Sequence, residues 1–384
     1  MIGAPSHGDF SAVVAFGFNR SKRNIVAALF PDARIRFIDS LSGRNRDYAK
    51  SRSRAAVALE TATRRPRAAW LAALRIEILR RQYNAVRAHF ERNRDDLAVT
   101  WNGLVSTRSI FMMAARDAGA RTLFLERGPF PGTITADPLG VNYANGLPRE
   151  PAAFTAWAAA HPDDLGRWRP LVERLIQRPA TALPQPGEVE APTLSGPFVF
   201  VPLQKQGDTQ LRFFGNLCVG VPETIELLAA AADTLPLGWH LRIKEHPSDR
   251  RRFGHMIARH AGRRIYLDNA TDTFVQVRAS QAVLTVNSSV GLEAMLLEKP
   301  VIVMGRAFWA LPGLVQEATT AEELRRVLAD PTSVVPDDAL RDAVLSFLWT
   351  RYYLMLPYHP PKGEKLSAED IEKLYERVNT RRVL

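Results

Sequence analysis

Among 384 residues there is one cysteine, Cys218, so an internal disulfide and a cysteine-rich zinc site are both excluded, and nothing calls for an oxidising compartment. Long apolar runs are lacking too. None approaches the roughly 18–20 residues of a membrane-spanning helix, and Met1 to Phe10 shows no basic-then-apolar leader pattern. A cytoplasmic protein, soluble or peripheral at a membrane face, is expected. The eight histidines include no HxxxH pair and the strand-end loops no Asp-x-Asp, which predicts no metal site. Missing as well are a Walker A loop and a dinucleotide-binding GxGxxG, which argues against P-loop and nicotinamide chemistry; no cofactor is expected.

What is present is a chain too long for one ordinary core, since single cores stop growing near roughly 250–300 residues. Two domains are predicted. The composition, 46% hydrophobic and 24% charged, is that of a globular protein. Its net charge of +11 is concentrated: residues 41–94 hold 14 Lys and Arg against four acids, Asp47, Glu60, Glu77 and Glu91. Within that region Trp70, Leu71, Leu74, Ile78 and Leu79 recur near a 3.6-residue period, predicting an amphipathic helix with arginines on its outer face. Such a region suits an anionic membrane surface, or is simply a solvated helix face. Nucleic acid is not an expected partner, because no recognition motif accompanies the arginines.

The rhythm along the chain is α/β. Ala12 to Phe18 reads as strand and glycine turn before a helix-like stretch, Ile25 to Phe30. Strands at 98–101 and 121–125 flank a helical segment, Ile110 to Ala118. A proline-rich stretch, Pro179 to Pro197, with Leu183 to Val189 at its centre, reads as a linker. Strands then recur at 198–202, 240–244, 264–267, 282–286 and 300–304, separated by helical segments. The expected fold is two Rossmann-like, doubly wound domains facing an interdomain cleft. The first spans residues 1–180, the second 198–335, and helices at 336–384 can return to the first. Ligands in such sheets sit beyond the carboxyl ends of the strands, so those loops hold the candidates.

Lys244-Glu245-His246-Pro247 leaves one strand with a lysine and a histidine able to contact phosphate. Asn287-Ser288-Ser289-Val290-Gly291-Leu292-Glu293 opens a helix with two hydroxyls and unpaired amides, an anion site by geometry or an ordinary serine cap with Glu293 closing a capping box. Gln204, Gln206 and Asp208 follow the first strand after the linker. There the carboxylate is either a base or nucleophile, or a helix cap. From the first domain come Glu126 and Arg127 at a strand end, Gly132 to Thr135 and Asn142 in the segment after it, and Gly17, Lys22 and Arg23 in the first turn. Two opposed carboxylates, Glu126 and Asp208, would make the arrangement used in glycosyl chemistry, unless Glu126 merely pairs with Arg127.

Taken in order, Phe198 to Gln210, Lys244 to Pro247, Thr285 to Ala294 and Lys299 to Trp309 resemble the capsular polysaccharide synthesis and export family of Gram-negative bacteria, with weaker support from Phe16 to Phe18, Lys22-Arg23 and Glu126 to Asn142. Members look like retaining β-Kdo glycosyltransferases that use CMP-Kdo. The resemblance implies a GT-B fold and a CMP-sugar donor bound mainly by the second domain. Lys244, His246, Pro247, Ser288, Ser289, Gln204, Gln206, Arg127 and Glu293 would serve the donor. Asp208 would be the nucleophile of a double displacement and Glu126 the acid/base, with Gly17, Lys22, Arg23 and Asn142 on the acceptor side. The acceptor would be a lipid or glycan at the inner membrane surface. Arg127 departs from the Asp or Asn frequent at that position in relatives, and can pair with the sugar carboxylate instead. Outside this reading stand a non-catalytic glycan-binding or export-coupling component and a transferase using another nucleotide sugar.

Overall fold

Short runs of β-branched and aromatic residues without charge are pushed into strands buried on both faces, the pattern of parallel sheets covered by helices. The computed structural model describes residues 10–39, 46–176 and 195–383. Its chain divides into two compact units, residues 1–128, 132–147 and 351–384 in one and residues 129–131 and 148–350 in the other.

The first unit opens with β1 (Val13–Phe16), α1 (Arg20–Leu29), β2 (Ile35–Ile38), α2 (Ser51–Glu60), α3 (Ala69–Arg92), β3 (Leu97–Trp101), α4 (Ser106–Asp117), β4 (Arg121–Arg127) and β5 (Thr133–Asp137). In the second unit follow α5 (Pro151–Ala160), β6 (Phe198–Pro202), α6 (Thr209–Phe214), α7 (Val221–Ala231), β7 (His240–Lys244), α8 (Gly254–Arg259), β8 (Ile265–Leu267) and α9 (Thr273–Ala279). It continues through β9 (Ala282–Thr285), α10 (Ser289–Leu296), β10 (Val301–Val303), β11 (Gln316–Glu317), α11 (Ala321–Ala329) and α12 (Asp338–Phe347). The chain then returns to the first unit with β12 (Leu354–Met355) and α13 (Ala368–Thr380).

The first sheet has the order β12-β5-β4-β3-β1-β2. Its central strands are parallel, with Val13 opposite Leu97 and Ile35. Alternate residues feed two cores: Val13, Ala15, Val99 and Leu125 pack with α1 and α13, whereas Val14, Phe16, Ala98 and Phe124 pack with α3 and α4. Of residues 132–135, expected among the strand-end loops, Thr133 to Thr135 instead open the antiparallel strand β5, paired with β4 and then with β12. The second sheet, β11-β10-β9-β6-β7-β8, is parallel throughout.

Two expectations need correction. The division falls near residue 147 rather than 180, and residues 336–350 stay with the second unit. Aromatic packing explains both, because Phe154 and Trp157 of α5 meet Phe347 of α12 edge-on at 5.4 and 5.2 Å. The return of 351–384 is fixed by Asp137 at the end of β5. Its buried carboxylate accepts from the N–H groups of Leu139, Gly140 and Gly146 and from Tyr352 Oη, while Arg377 donates to the neighbouring Ala136 carbonyl at 3.2 Å. The expected amphipathic helix forms as α3, and of its five periodic apolar residues only Leu79 is buried. The centre of the expected linker, Leu183 to Val189, lies outside the described residues.

Candidate functional site

In the second sheet the chain proceeds from β6 outward through β7 and β8, then jumps back across to β9, β10 and β11. Loops leaving β6 and β9 therefore diverge, opening a crevice at their carboxyl ends. A pocket lies there, lined by Lys244, Glu245, His246 and Pro247 after β7, Ser288, Ser289 and Glu293 around the start of α10, and Thr273 and Phe274 at the start of α9. Six residues singled out in sequence as donor ligands, Lys244, His246, Pro247, Ser288, Ser289 and Glu293, thus meet in one place.

Each is held by local chemistry. Lys244 Nζ donates to the carbonyls of Asn269 and Thr271, at 2.9 and 2.6 Å, so two of its three N–H donors pin the β8–α9 loop. Burial pulls its pKa below the usual lysine range, against the opposing pull of Asp268 and Asp272. Glu245 steadies the same loop, accepting from Asn269 Nδ2 at 2.9 Å and from the Phe253 N–H. His246 Nδ1 accepts from the Ser248 N–H at 3.1 Å, which places the proton of the neutral ring on Nε2, a donor suited to a phosphate oxygen. Ser288 caps α10, its Oγ accepting from the Val290 N–H at 3.3 Å. The third helical position is Gly291, so Glu293 closes no capping box and lies instead against the pocket. Gly291 is glycine for a steric reason: a Cβ there would lie 2.3 Å from the Trp309 ring.

Asp208, Gln204 and Gln206 are not brought into this lining. Asp208 caps α6, its Oδ1 accepting from the Gln210 N–H at 2.8 Å, and burial raises its pKa against that bond and nearby Lys205. Gln206 is spent on structure, its Oε1 accepting from the Val221 N–H at 2.7 Å and its own N–H donating to Asp249 at 2.6 Å. Gln204 grips Asn287.

The first unit gathers a second constellation at the carboxyl ends of β1, β3 and β4. Glu126 accepts from Asn102 Nδ2 at 2.7 Å and from the Arg127 N–H at 3.0 Å. Lys22 Nζ lies 4.0 Å from the Trp101 ring centroid and 5.7 Å from that of Tyr358. Burial lowers the Lys22 pKa; Glu126 counters this and Arg108 adds to it. Arg108 Nη2 donates to the Gly17 carbonyl at 2.9 Å, and the positive φ of Gly17, +70°, shapes that turn. Arg23 is exposed, turned toward Phe37. Arg127 is exposed with its guanidinium 5.4 Å from the Tyr358 ring centroid. Asn142 does not join: it follows β5, which runs antiparallel and carries the chain to the amino-end side of the parallel strands. Sequence reasoning missed Asn102, Arg108 and Tyr358. Only Asn102-Gly103 had a signal, a turn dipeptide directly after a strand. Among the described residues no group of three His, Cys, Asp or Glu side chains is placed to hold a metal ion, and no helix is long and apolar enough to cross a membrane.

Residues 187–354 match the family described as capsule polysaccharide biosynthesis protein. Protein FixF of Sinorhizobium fredii is 30% identical over 259 residues, which is 67% of this chain and 60% of FixF. The capsule polysaccharide modification protein LipB of Neisseria meningitidis is 32% identical over 136 residues, 33% of this chain and 32% of LipB. The chain therefore spans less than two-thirds of these relatives. Among solved structures, the β-Kdo 2,7 transferase of Thermosulfurimonas dismutans KpsC aligns over 97% of this chain and 100% of its own with TM-score 0.57 and 16% identity. The β-Kdo 2,4 transferase of the same protein aligns over 96% and 99% with TM-score 0.51 and 15% identity. At such identities the likeness is one of fold, the paired Rossmann-like domains of GT-B proteins.

Proposed function

We propose that this chain, whose residues 187–354 match the capsule polysaccharide biosynthesis family, is a glycosyltransferase moving Kdo, or a related acidic sugar, from a CMP donor to a lipid or glycan acceptor during assembly of a surface polysaccharide. One observation carries the reading: Lys244, His246, Ser288 and Ser289 converge on a single pocket at the switch point of the second sheet. A phosphate there would accept from His246 Nε2–H and lie at the amino end of α10, where the helix dipole favours negative charge.

In the proposed double displacement, the Asp208 carboxylate attacks the anomeric carbon and CMP departs with the bonding electrons of the broken C–O bond. The acceptor hydroxyl then displaces Asp208 from the same carbon, and its proton passes to Glu126. Two inversions give net retention. CMP needs little protonation to leave, so the scheme calls for no metal or cofactor. Lys22 and Arg108 interact electrostatically with Glu126, so positive charge lies beside the proposed acid/base. With the acceptor lodged in a membrane, the basic region 41–94 would face the anionic inner leaflet. The relation to the transferase domains of KpsC supports the donor class.

A second reading has an observation of its own. Asp208 serves as a helix cap outside the pocket lining, as it would in a non-catalytic, glycan-binding or export-coupling relative of such enzymes. Calorimetric titration with CMP and UDP, followed by transfer assays from CMP-Kdo with wild-type and D208N protein, decides among the readings. Preferential CMP binding with turnover abolished in D208N is expected. UDP preference would replace the donor, and CMP binding without product would favour the second reading.

A further inference from the structure

The first three turns of α3 carry four large apolar side chains that the fold leaves in solvent: Trp70 is 68% exposed, Leu71 39%, Leu74 52% and Ile78 50%. A core helix turns such residues inward, and Leu79 and Tyr83 of the same helix do so. The four sit within about 100° of arc on one side of the helix, since 70, 74 and 78 are four residues apart and 71 adjoins them. Up to Ile76 only basic residues flank the stripe, and Glu77 is the acid within it. From Thr61 to Ile76 the chain has Arg64, Arg65, Arg67 and Arg75 and no acidic residue, and Arg64, Arg65, Arg67 and Arg75 are exposed. Arg81 continues the stripe beyond Ile78 and is itself exposed, with a single carboxylate partner, Glu77.

We infer that this end of α3 is a wedge that inserts Trp70, Leu71, Leu74 and Ile78 into the headgroup boundary of an anionic phospholipid surface, with the arginines meeting the phosphates. The inference rests on the proposed membrane association and deepens it, replacing attraction by diffuse charge with insertion of named side chains. Its chemistry selects lipid over other occupants. Nucleic acid would pair with the arginines and leave the apolar stripe wet, and a second copy would bring an equally basic face against this one. Arginine at headgroup level with tryptophan and leucine below is the composition of an interfacial helix, and a tryptophan so exposed is uncommon on a protein that buries no partner there.

The test uses the full chain with vesicles of phosphatidylcholine alone and of phosphatidylcholine mixed with phosphatidylglycerol. Wild-type protein is expected to sediment with the mixed vesicles only, and to retain part of that binding at high salt, because insertion is not screened. The W70S/L74Q/I78Q variant should bind at least about tenfold more weakly, given the apolar area lost, and release fully at high salt, while its CMP binding stays unchanged. Equal binding by the variant would overturn the wedge and leave membrane association standing. No binding by wild type would overturn both, without touching the donor reading, which the CMP titration reports separately. Concentration-dependent self-association of the wild type, abolished in the variant, would assign the face to a second copy and overturn the inference.

Discussion

Gln204 and Asn287 hold each other across the switch point of the second sheet: Gln204 Nε2 donates to Asn287 Oδ1 at 2.8 Å, and the Asn287 N–H returns a bond to Gln204 Oε1 at 3.2 Å. Asn287 Nδ2 also reaches the carbonyls of Gln210 and Phe214, both at 3.0 Å, so one buried amide ties the loops leaving β6 and β9 to α6. N287A should cost about 2–4 kcal/mol, since it orphans several buried groups at once. Chemical denaturation of N287A, Q204A and the double variant checks this. Strictly additive losses would deny the mutual grip.

Asp208 combines a capping bond with the proposed chemistry, and the two can be separated. Asparagine caps helices about as well as aspartate, so D208N should unfold within about 1 kcal/mol of wild type while transfer falls by several orders of magnitude. D208A should lose both. Full turnover by D208N would remove the carboxylate from the reaction.

Gly291 lies against Trp309, and a methyl group there meets the indole at 2.3 Å. G291A should destabilise by about 1–3 kcal/mol through overpacking and shift the start of α10, weakening CMP binding. Replacing the indole as well, in G291A/W309L, should recover part of the binding loss in the same titration. A G291A protein with wild-type CMP affinity would show that the close approach does not shape the pocket.

His240, at the start of β7, stacks on Phe198 and has its pKa pushed down to about 4 by burial, with Arg242 adding to the effect. An unfolded histidine titrates near 6.5, so over the window between these values the unfolded chain binds the extra proton. Stability is therefore full above pH 6.5 and drains away as the pH falls toward 4, by on the order of 1–3 kcal/mol from this one group. Melting temperatures of wild type and H240Q across that window should diverge at neutral pH and converge on acidification. Parallel curves would show that His240 does not set the acid limb.

Much of the second unit is legible in its sequence because each strand there is a short apolar run closed by a loop of polar residues, and β9, α10 and β10 fall within a residue of their expected bounds. His246 and the paired serines were findable for the same reason: strand-end position alone puts them at the crevice. Asp208 shows the limit, since a carboxylate immediately before a helix reads identically as cap or nucleophile. Antiparallel β5 was hidden because direction depends on pairing, which a single strand does not encode. For α3 the periodicity reports a stripe and not what covers it. Arg108 had no local signal, being placed by tertiary packing against Gly17.

The closure of the first unit by β12 and α13 imposes an order on synthesis. All elements of the second unit have been synthesised by residue 350, in one nearly continuous stretch. The first unit, although begun earlier, must wait for Tyr352 to reach Asp137 and for Arg377 to reach Ala136. Until then the β5 edge and the seat of α13 stand open to solvent and to other chains. The second unit is thus the one equipped to fold first, and the nascent chain carries an unfinished sheet behind it until α13 emerges.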